Sequence, residues 1–187
     1  MPGARESYVP LADGRPIYFF QEGAGPPLLY VHAATDSADG ARGMFERLRD
    51  RFRCISLDRV GYRRSGTLDR LTTVAEQVET IAVVHRACTP APAWVFAHSA
   101  GGNWAVAYAL ACPERVRGLV LMEPAFYAAV PEDRRSPGSV TMIETVGPLF
   151  LAGRLKEAVT QFWSVLHPDL TPEALAVLRK YHFSGNV

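Results

Sequence analysis

Ser99 of the 187-residue chain is preceded by Trp94-Val95-Phe96-Ala97-His98 and followed by Ala100-Gly101-Gly102-Asn103. A mostly apolar run leads into the serine and a helix-compatible run follows at once. This is the layout of a nucleophile elbow, a sharp strand-to-helix turn that lifts a serine oxygen clear of a sheet. Such a turn needs small residues two places before and two places after the serine, because the two backbones nearly touch there. Gly101 meets that need and Ala97 almost does. The implied chemistry is attack by the Ser99 oxygen on a carbonyl carbon, with the Ala100 N–H aimed where an oxyanion would form. The same window also reads as a buried strand followed by a small-residue helix with a serine N-cap. The surrounding elements decide between the two.

Ser7 to Leu11 and Ile17 to Phe20 read as two short strands around Asp13-Gly14-Arg15-Pro16, a hairpin. Leu28 to Val31 is an apolar run suited to a strand buried on both faces. Met44 to Phe52 has helical spacing, and Arg53 to Leu57 is a further strand ending at Asp58. Val74, Val78, Ile81, His85 and Cys88 recur at spacings of four and three, marking one helix face that Pro90 and Pro92 bring to a stop. After the window around Ser99 come a helix closed by Pro113 and a buried strand, Arg117 to Met122. Strands alternating with helices predict an α/β fold, a mostly parallel sheet with helices on both faces. Function in such sheets collects at the carboxyl ends of strands. His32, Asp58, Ser99 and Glu123 all fall there.

Beyond Pro124 the pattern turns helical, with candidate helices over Thr141 to Leu151, Leu155 to Leu166 and Thr171 to Tyr181. The last starts well, with Thr171 as N-cap, Pro172 at the first position and Glu173 in the first turn. Phe150, Phe162, Trp163 and Leu166 read either as pocket lining or as the core of a small helical layer.

Twenty Lys and Arg against nineteen Asp and Glu, well interspersed, give no nucleic-acid footprint. The Arg63-Arg64 and Arg134-Arg135 pairs read as solvated loops. Cys54, Cys88 and Cys112 lie in apolar patterns without metal-ligand spacing, so they read as buried thiols of a reducing compartment. The start Met1-Pro2-Gly3-Ala4-Arg5-Glu6 lacks the apolar segment of a signal peptide. No apolar run reaches membrane-spanning length. The expectation is a cytoplasmic protein acting on a small molecule, with no metal, cofactor, nucleic-acid or membrane partner.

Three ordered blocks carry a family resemblance. They are Leu28-Leu29-Tyr30-Val31-His32-Ala33-Ala34, then Leu57-Asp58-Arg59-Val60-Gly61-Tyr62-Arg63-Arg64-Ser65, then the segment through Ser99 with Pro113-Glu114-Arg115-Val116 after its helix. Together they resemble the α/β-hydrolase superfamily, in its cap-bearing serine esterase, lactonase and haloalkane dehalogenase-like branch. The resemblance implies a hydrolase core over residues 1–124, holding strands 1 to 6, and a helical cap over 125–187. It implies Ser99 as nucleophile, with the Ala34 and Ala100 amides as oxyanion donors. It places His32, Ala33, His98, Phe126, Phe150 and Trp163 around the substrate pocket, the two histidines in structural roles. Asp58 and Arg59 would pin the loop after strand 4 through an ion pair and turn contacts. Two departures stand out: Ala97 replaces the first elbow glycine, and Ala33 the glycine that usually follows His32.

In this superfamily the chain order is nucleophile, acid, histidine, the last two on loops after later strands. No such strands follow Glu123, so the resemblance implies a C-terminally incomplete fold in which the base histidine is missing. His167 and His182 are the only histidines downstream. Glu123, at the end of strand 6, stands where some dehalogenase-like members place their acid, or else anchors a loop. An incomplete sheet would leave Leu119 to Met122 as an apolar edge through which copies of the chain could pair. The function implied is a serine hydrolase of a small ester, thioester or lactone. The alternatives are a catalytically impaired or non-catalytic binding protein on the same fold, and a cofactor-free haloperoxidase-type perhydrolase. Dehalogenases and epoxide hydrolases of the family use an aspartate at the elbow, and Ser99 argues against both.

Overall fold

The structure is a computed structural model that describes residues 3–66, 68, 70–126, 129–152 and 154–183, with backbone alone for 150, 151, 155 and 178–183. It divides into two compact units, Met1–Leu68 with Thr72–Ala125, and Asp69–Leu71 with Phe126–Val187.

The first unit is built on six strands: β1 (Arg5–Pro10), β2 (Pro16–Glu22), β3 (Pro27–Val31), β4 (Arg53–Leu57), β5 (Ala93–His98) and β6 (Val116–Met122). Their spatial order is β1-β2-β4-β3-β5-β6. The β1–β2 and β2–β4 pairs are antiparallel, and the pairs from β4 through β3 and β5 to β6 are parallel. β3 lies between two parallel neighbours with all five residues buried, as its unbroken apolar run requires.

Side-chain alternation along β3 separates two cores. Leu29 and Val31 face Ile81 and Val84 of helix α2 (Val74–Cys88) and Ala105 and Tyr108 of helix α3 (Gly101–Ala111). Leu28 and Tyr30 face the opposite side, with Phe45 of helix α1 (Arg42–Leu48) and Ala38 and Ala41 of the 3-10 turn before it. Helices therefore cover both faces of the sheet. α1 is shorter than its periodicity predicts. The N–H groups of Arg51 and Phe52 both turn back to the Leu48 carbonyl, and the Arg49 carbonyl is engaged by Ala24, so the chain leaves the helix early. α2 opens with a reciprocal capping box between Thr73 and Glu76. Trp94 lies across Gly118, where a Cβ would stand 2.4 Å from its ring.

The second unit is helical. Ser136 caps α4 (Pro137–Thr141), which runs through a π-helical turn at Met142–Val146 into α5 (Gly147–Leu151). The Gly147 N–H reaches back five residues to the Met142 carbonyl. Pro148 accounts for this widening, because it has no N–H and its ring would strike the carbonyl four residues earlier in a regular helix. Helices α6 (Leu155–Leu166) and α7 (Pro172–Phe183) follow, α7 with Thr171 accepting the Ala174 N–H at 3.3 Å. Among the described residues, Met142, Val146, Ala158 and Val159 are the buried apolar ones of this unit.

Candidate active site

The strand-to-helix turn after β5 has the strained backbone that its sequence implies. Ser99 adopts φ +49°, a left-handed conformation that a residue with a Cβ rarely occupies. Three main-chain bonds hold it there. Its N–H donates to the Met122 carbonyl at 3.0 Å, and its carbonyl accepts from Gly102 at 2.9 Å and Ala125 at 3.2 Å. The elbow is thus tied both to its own helix and to the loop that leaves β6. Asn103 strengthens that tie, its Nδ2 donating to the carbonyls of Ala100 and Ala125.

Gly101 explains how α3 comes so close to the sheet. A Cβ there would stand 2.3 Å from the Val31 carbonyl oxygen and 2.6 Å from that of His32. Ala97, fully buried, is flanked by Val31 and Leu121. The N-terminus of an eleven-residue helix therefore abuts the end of β3, beside the loop that carries Ala33 and Ala34. Among the described residues, no protein acceptor meets the N–H of Ala34 or Ala100. A serine hydroxyl, two unengaged main-chain donors and the positive end of a helix dipole are the parts needed to meet a developing oxyanion.

His32 is fully buried, so its place is beneath the loop and not on the wall of an open pocket. Its Nδ1 donates to the Ala33 carbonyl at 2.7 Å and its Nε2 accepts the Arg59 N–H at 3.0 Å. That pattern requires the neutral imidazole. Burial, and after it the Arg59 charge, holds the ring's pKa well below the ordinary histidine value. Ala33 is buried with it, while His98 ends β5 half-buried. His85 is likewise committed: Tyr108 donates to its Nδ1 at 2.7 Å, and its Nε2 donates to the Ala91 carbonyl at 2.9 Å.

The ion pair expected between Asp58 and Arg59 is not formed. The buried Asp58 carboxylate takes Arg64 as its partner, with Nε at 2.7 Å, and accepts the Ala38 N–H at 2.7 Å. It clamps the loops after β3 and β4 together. Arg59 instead turns inward to the carbonyl of Ala33 at 3.1 Å. Neighbouring positions in sequence suggested the wrong pair, and nothing local could have shown the right one. Asn103 was legible in principle, as the one amide on an otherwise apolar helix.

Glu123 is exposed, with φ +46°, on the loop whose Ala125 is bonded to Ser99. Phe126, Phe150 and Trp163 belong to the second unit. There Phe126 is half-buried, Trp163 packs edge-on to Phe162 and stacks on His167, and the Phe150 side chain lies outside the described residues. The side chain of His182 lies outside them too. A groove of about 670 Å³ lined by Pro26, Pro27, Arg53, Pro92 and Arg117 opens at the amino ends of the parallel strands, away from Ser99.

Comparison with known proteins agrees with this fold. The family model described as alpha/beta hydrolase fold matches residues 26–144. A protein of Mycobacterium phage D29 named as a non-heme haloperoxidase is 31% identical over 182 residues, 91% of this chain and 61% of its own length. Haloalkane dehalogenase 2 of Mycobacterium tuberculosis H37Rv is 31% identical over 123 residues, 60% of this chain and 40% of its own. The crystal structure of an alpha/beta hydrolase from Sphaerobacter thermophilus superposes with a TM-score of 0.70 at 29% identity, covering 93% of this chain and 65% of that one. The chain thus spans less than two thirds of the length of each.

Proposed function

Because the chain belongs to the α/β hydrolase fold family, we propose that it carries the nucleophile and oxyanion hole of a serine hydrolase acting on a small ester, thioester or lactone. Ser99 Oγ adds to the substrate carbonyl, and the N–H groups of Ala34 and Ala100 hold the oxygen as it gains charge. The leaving group departs as the acyl-enzyme forms, and water then releases the acid. The observation that carries this reading is the left-handed Ser99 at a turn whose close approach only Gly101 permits.

The reaction needs a base for the Ser99 proton. His32 and His85 have both ring nitrogens engaged and are buried, so neither serves. The base therefore belongs to a histidine outside these two, and Glu123, on the loop bonded to the elbow, is proposed to orient it. Without a base, the oxyanion donors and binding alone leave an acceleration of about 10³–10⁴ over water. That is the activity a catalytically impaired, ligand-binding version of the fold would show. The likeness to the phage protein supports a second reading, cofactor-free perhydrolysis at the same serine, in which hydrogen peroxide replaces water in releasing the acyl group as a peracid. The free edge of β6 is proposed to pair with a second copy of the chain.

The test is covalent labelling of the complete gene product with a fluorophosphonate probe. Peptide mass mapping is expected to find the adduct on Ser99, and none in Ser99→Ala. A chain that stays unlabelled overturns the hydrolase reading. Peracid formation from acetate and hydrogen peroxide, lost in Ser99→Ala, distinguishes the second reading from ester hydrolysis alone.

A further inference from the structure

Arg59 is 2% exposed, yet among the described residues its guanidinium meets only neutral groups. One Nη donates to the Ala33 carbonyl at 3.1 Å and the other to Gln77 Oε1 at 3.3 Å. The guanidinium carbon lies 4.3 Å from the centre of the Tyr62 ring, and Nε has no hydrogen-bond partner among the described residues. Asp58, the adjacent carboxylate, is taken by Arg64. Holding a cation in such a place costs several kcal/mol of lost hydration, and a methionine would fill the space without that cost. Packing alone gives no reason for the charge.

The Ala33 carbonyl supplies one. It accepts two hydrogen bonds, from Arg59 and from His32 Nδ1 at 2.7 Å, both from the protein interior. That carbonyl and the Ala34 N–H are opposite ends of one planar trans peptide, in which C=O and N–H point in opposite directions. Drawing the oxygen inward therefore turns the Ala34 hydrogen outward. Donors on a carbonyl also polarise the peptide, and a cationic donor does so most, making the N–H at the far end a stronger donor.

We propose that Arg59 is a positioning residue that orients and polarises the Ala33–Ala34 peptide, so that the Ala34 N–H acts as an oxyanion donor. It touches no reacting atom. The proposal rests on Ala34 having the role given above.

Phosphonylation of Ser99 reads it directly, since the phosphoryl oxygen of the probe occupies the same hole. In the full chain, Arg59→Met is expected to lower the maximal labelling rate by about 30-fold, less than the about 10²–10³ that loss of a whole oxyanion donor costs, with half-saturating probe concentration unchanged. Arg59→Lys, which keeps a cationic donor, should recover most of the rate. If Arg59→Met does not fold, Arg59→Gln, a donor without charge, takes its place with the same direction expected. Labelling in Arg59→Met at the wild-type rate overturns the proposal while leaving Ser99 as nucleophile. If the wild type does not label, the hydrolase reading falls, and the Ala34 amide resonance decides the positioning. Its position should move in Arg59→Met and stay in Arg59→Lys, and an unmoved resonance in Arg59→Met overturns the proposal.

Discussion

At the scale of single residues, the site rests on a serine held where glycine would be at ease. A non-glycine residue at φ +49° stores roughly 1–3 kcal/mol of strain. Ser99→Gly should therefore raise stability by about 1 kcal/mol, read as a higher melting temperature, while abolishing probe labelling. An unchanged or lower melting temperature would show that the turn is not strained. Gly101→Ala acts in the opposite sense. Its methyl would meet two carbonyl oxygens at 2.3 and 2.6 Å, both main chain and unable to swing aside. A loss of about 3 kcal/mol is expected in urea unfolding, together with slower labelling as the helix is pushed off the sheet. Ser99, Ala97 and Gly101 were legible in the sequence because the elbow is a local motif whose sterics are written in adjacent letters. The roles of Arg59 and Arg64 were not, since their partners are fixed by how two loops meet.

Among the elements, the link between α2 and α3 has a built-in acidity dependence. His85 joins α2 to Tyr108 of α3 and to the loop before β5. Burial is the main cause that lowers its pKa below the ordinary histidine value, with the charges of Arg115 and Arg86 adding to it. A group whose folded pKa is depressed contributes full stability above its unfolded pKa and loses it as the pH falls. Below about pH 6.5 the unfolded chain gains protons that the folded chain refuses at both His32 and His85. Stability should then fall as the pH drops below about 6.5, each group contributing at most about 1.4 kcal/mol per pH unit. Urea titrations at stepped pH should show this, and His85→Gln should reduce the slope. A slope unchanged by that substitution would mean His85 is protonated in the fold. Element boundaries were legible where the signal is local. α2 begins and ends as its spacing and its following prolines require, whereas α1 is cut short by tertiary contacts. α4 begins earlier than predicted, although Ser136-Pro137, a cap followed by proline, is itself a start signal.

For the molecule as a whole, alternating strands and helices foretold a mostly parallel sheet, but not its order, because crossover connections leave no mark on local periodicity. β6 is an outer strand among the described residues, and Val120 and Met122 on it are 46% and 43% exposed, with Trp94 of β5 at 37% beside them. Such an edge and face invite strand pairing, and lysine is the residue that most effectively blocks it. Light scattering should find the 187-residue chain associating as concentration rises, and Val120→Lys should shift it toward monomer. A wild-type chain that stays monomeric at every concentration would rule this out. The hydrogen bond from Ser99 to the Met122 carbonyl reaches further still. During synthesis the serine leaves the ribosome before the strand that must accept its N–H, so a nascent chain stopped short of Met122 lacks a bond that holds the turn. The left-handed turn is therefore fully fastened only once β6 has docked, so the elbow is among the last parts of this sheet to set.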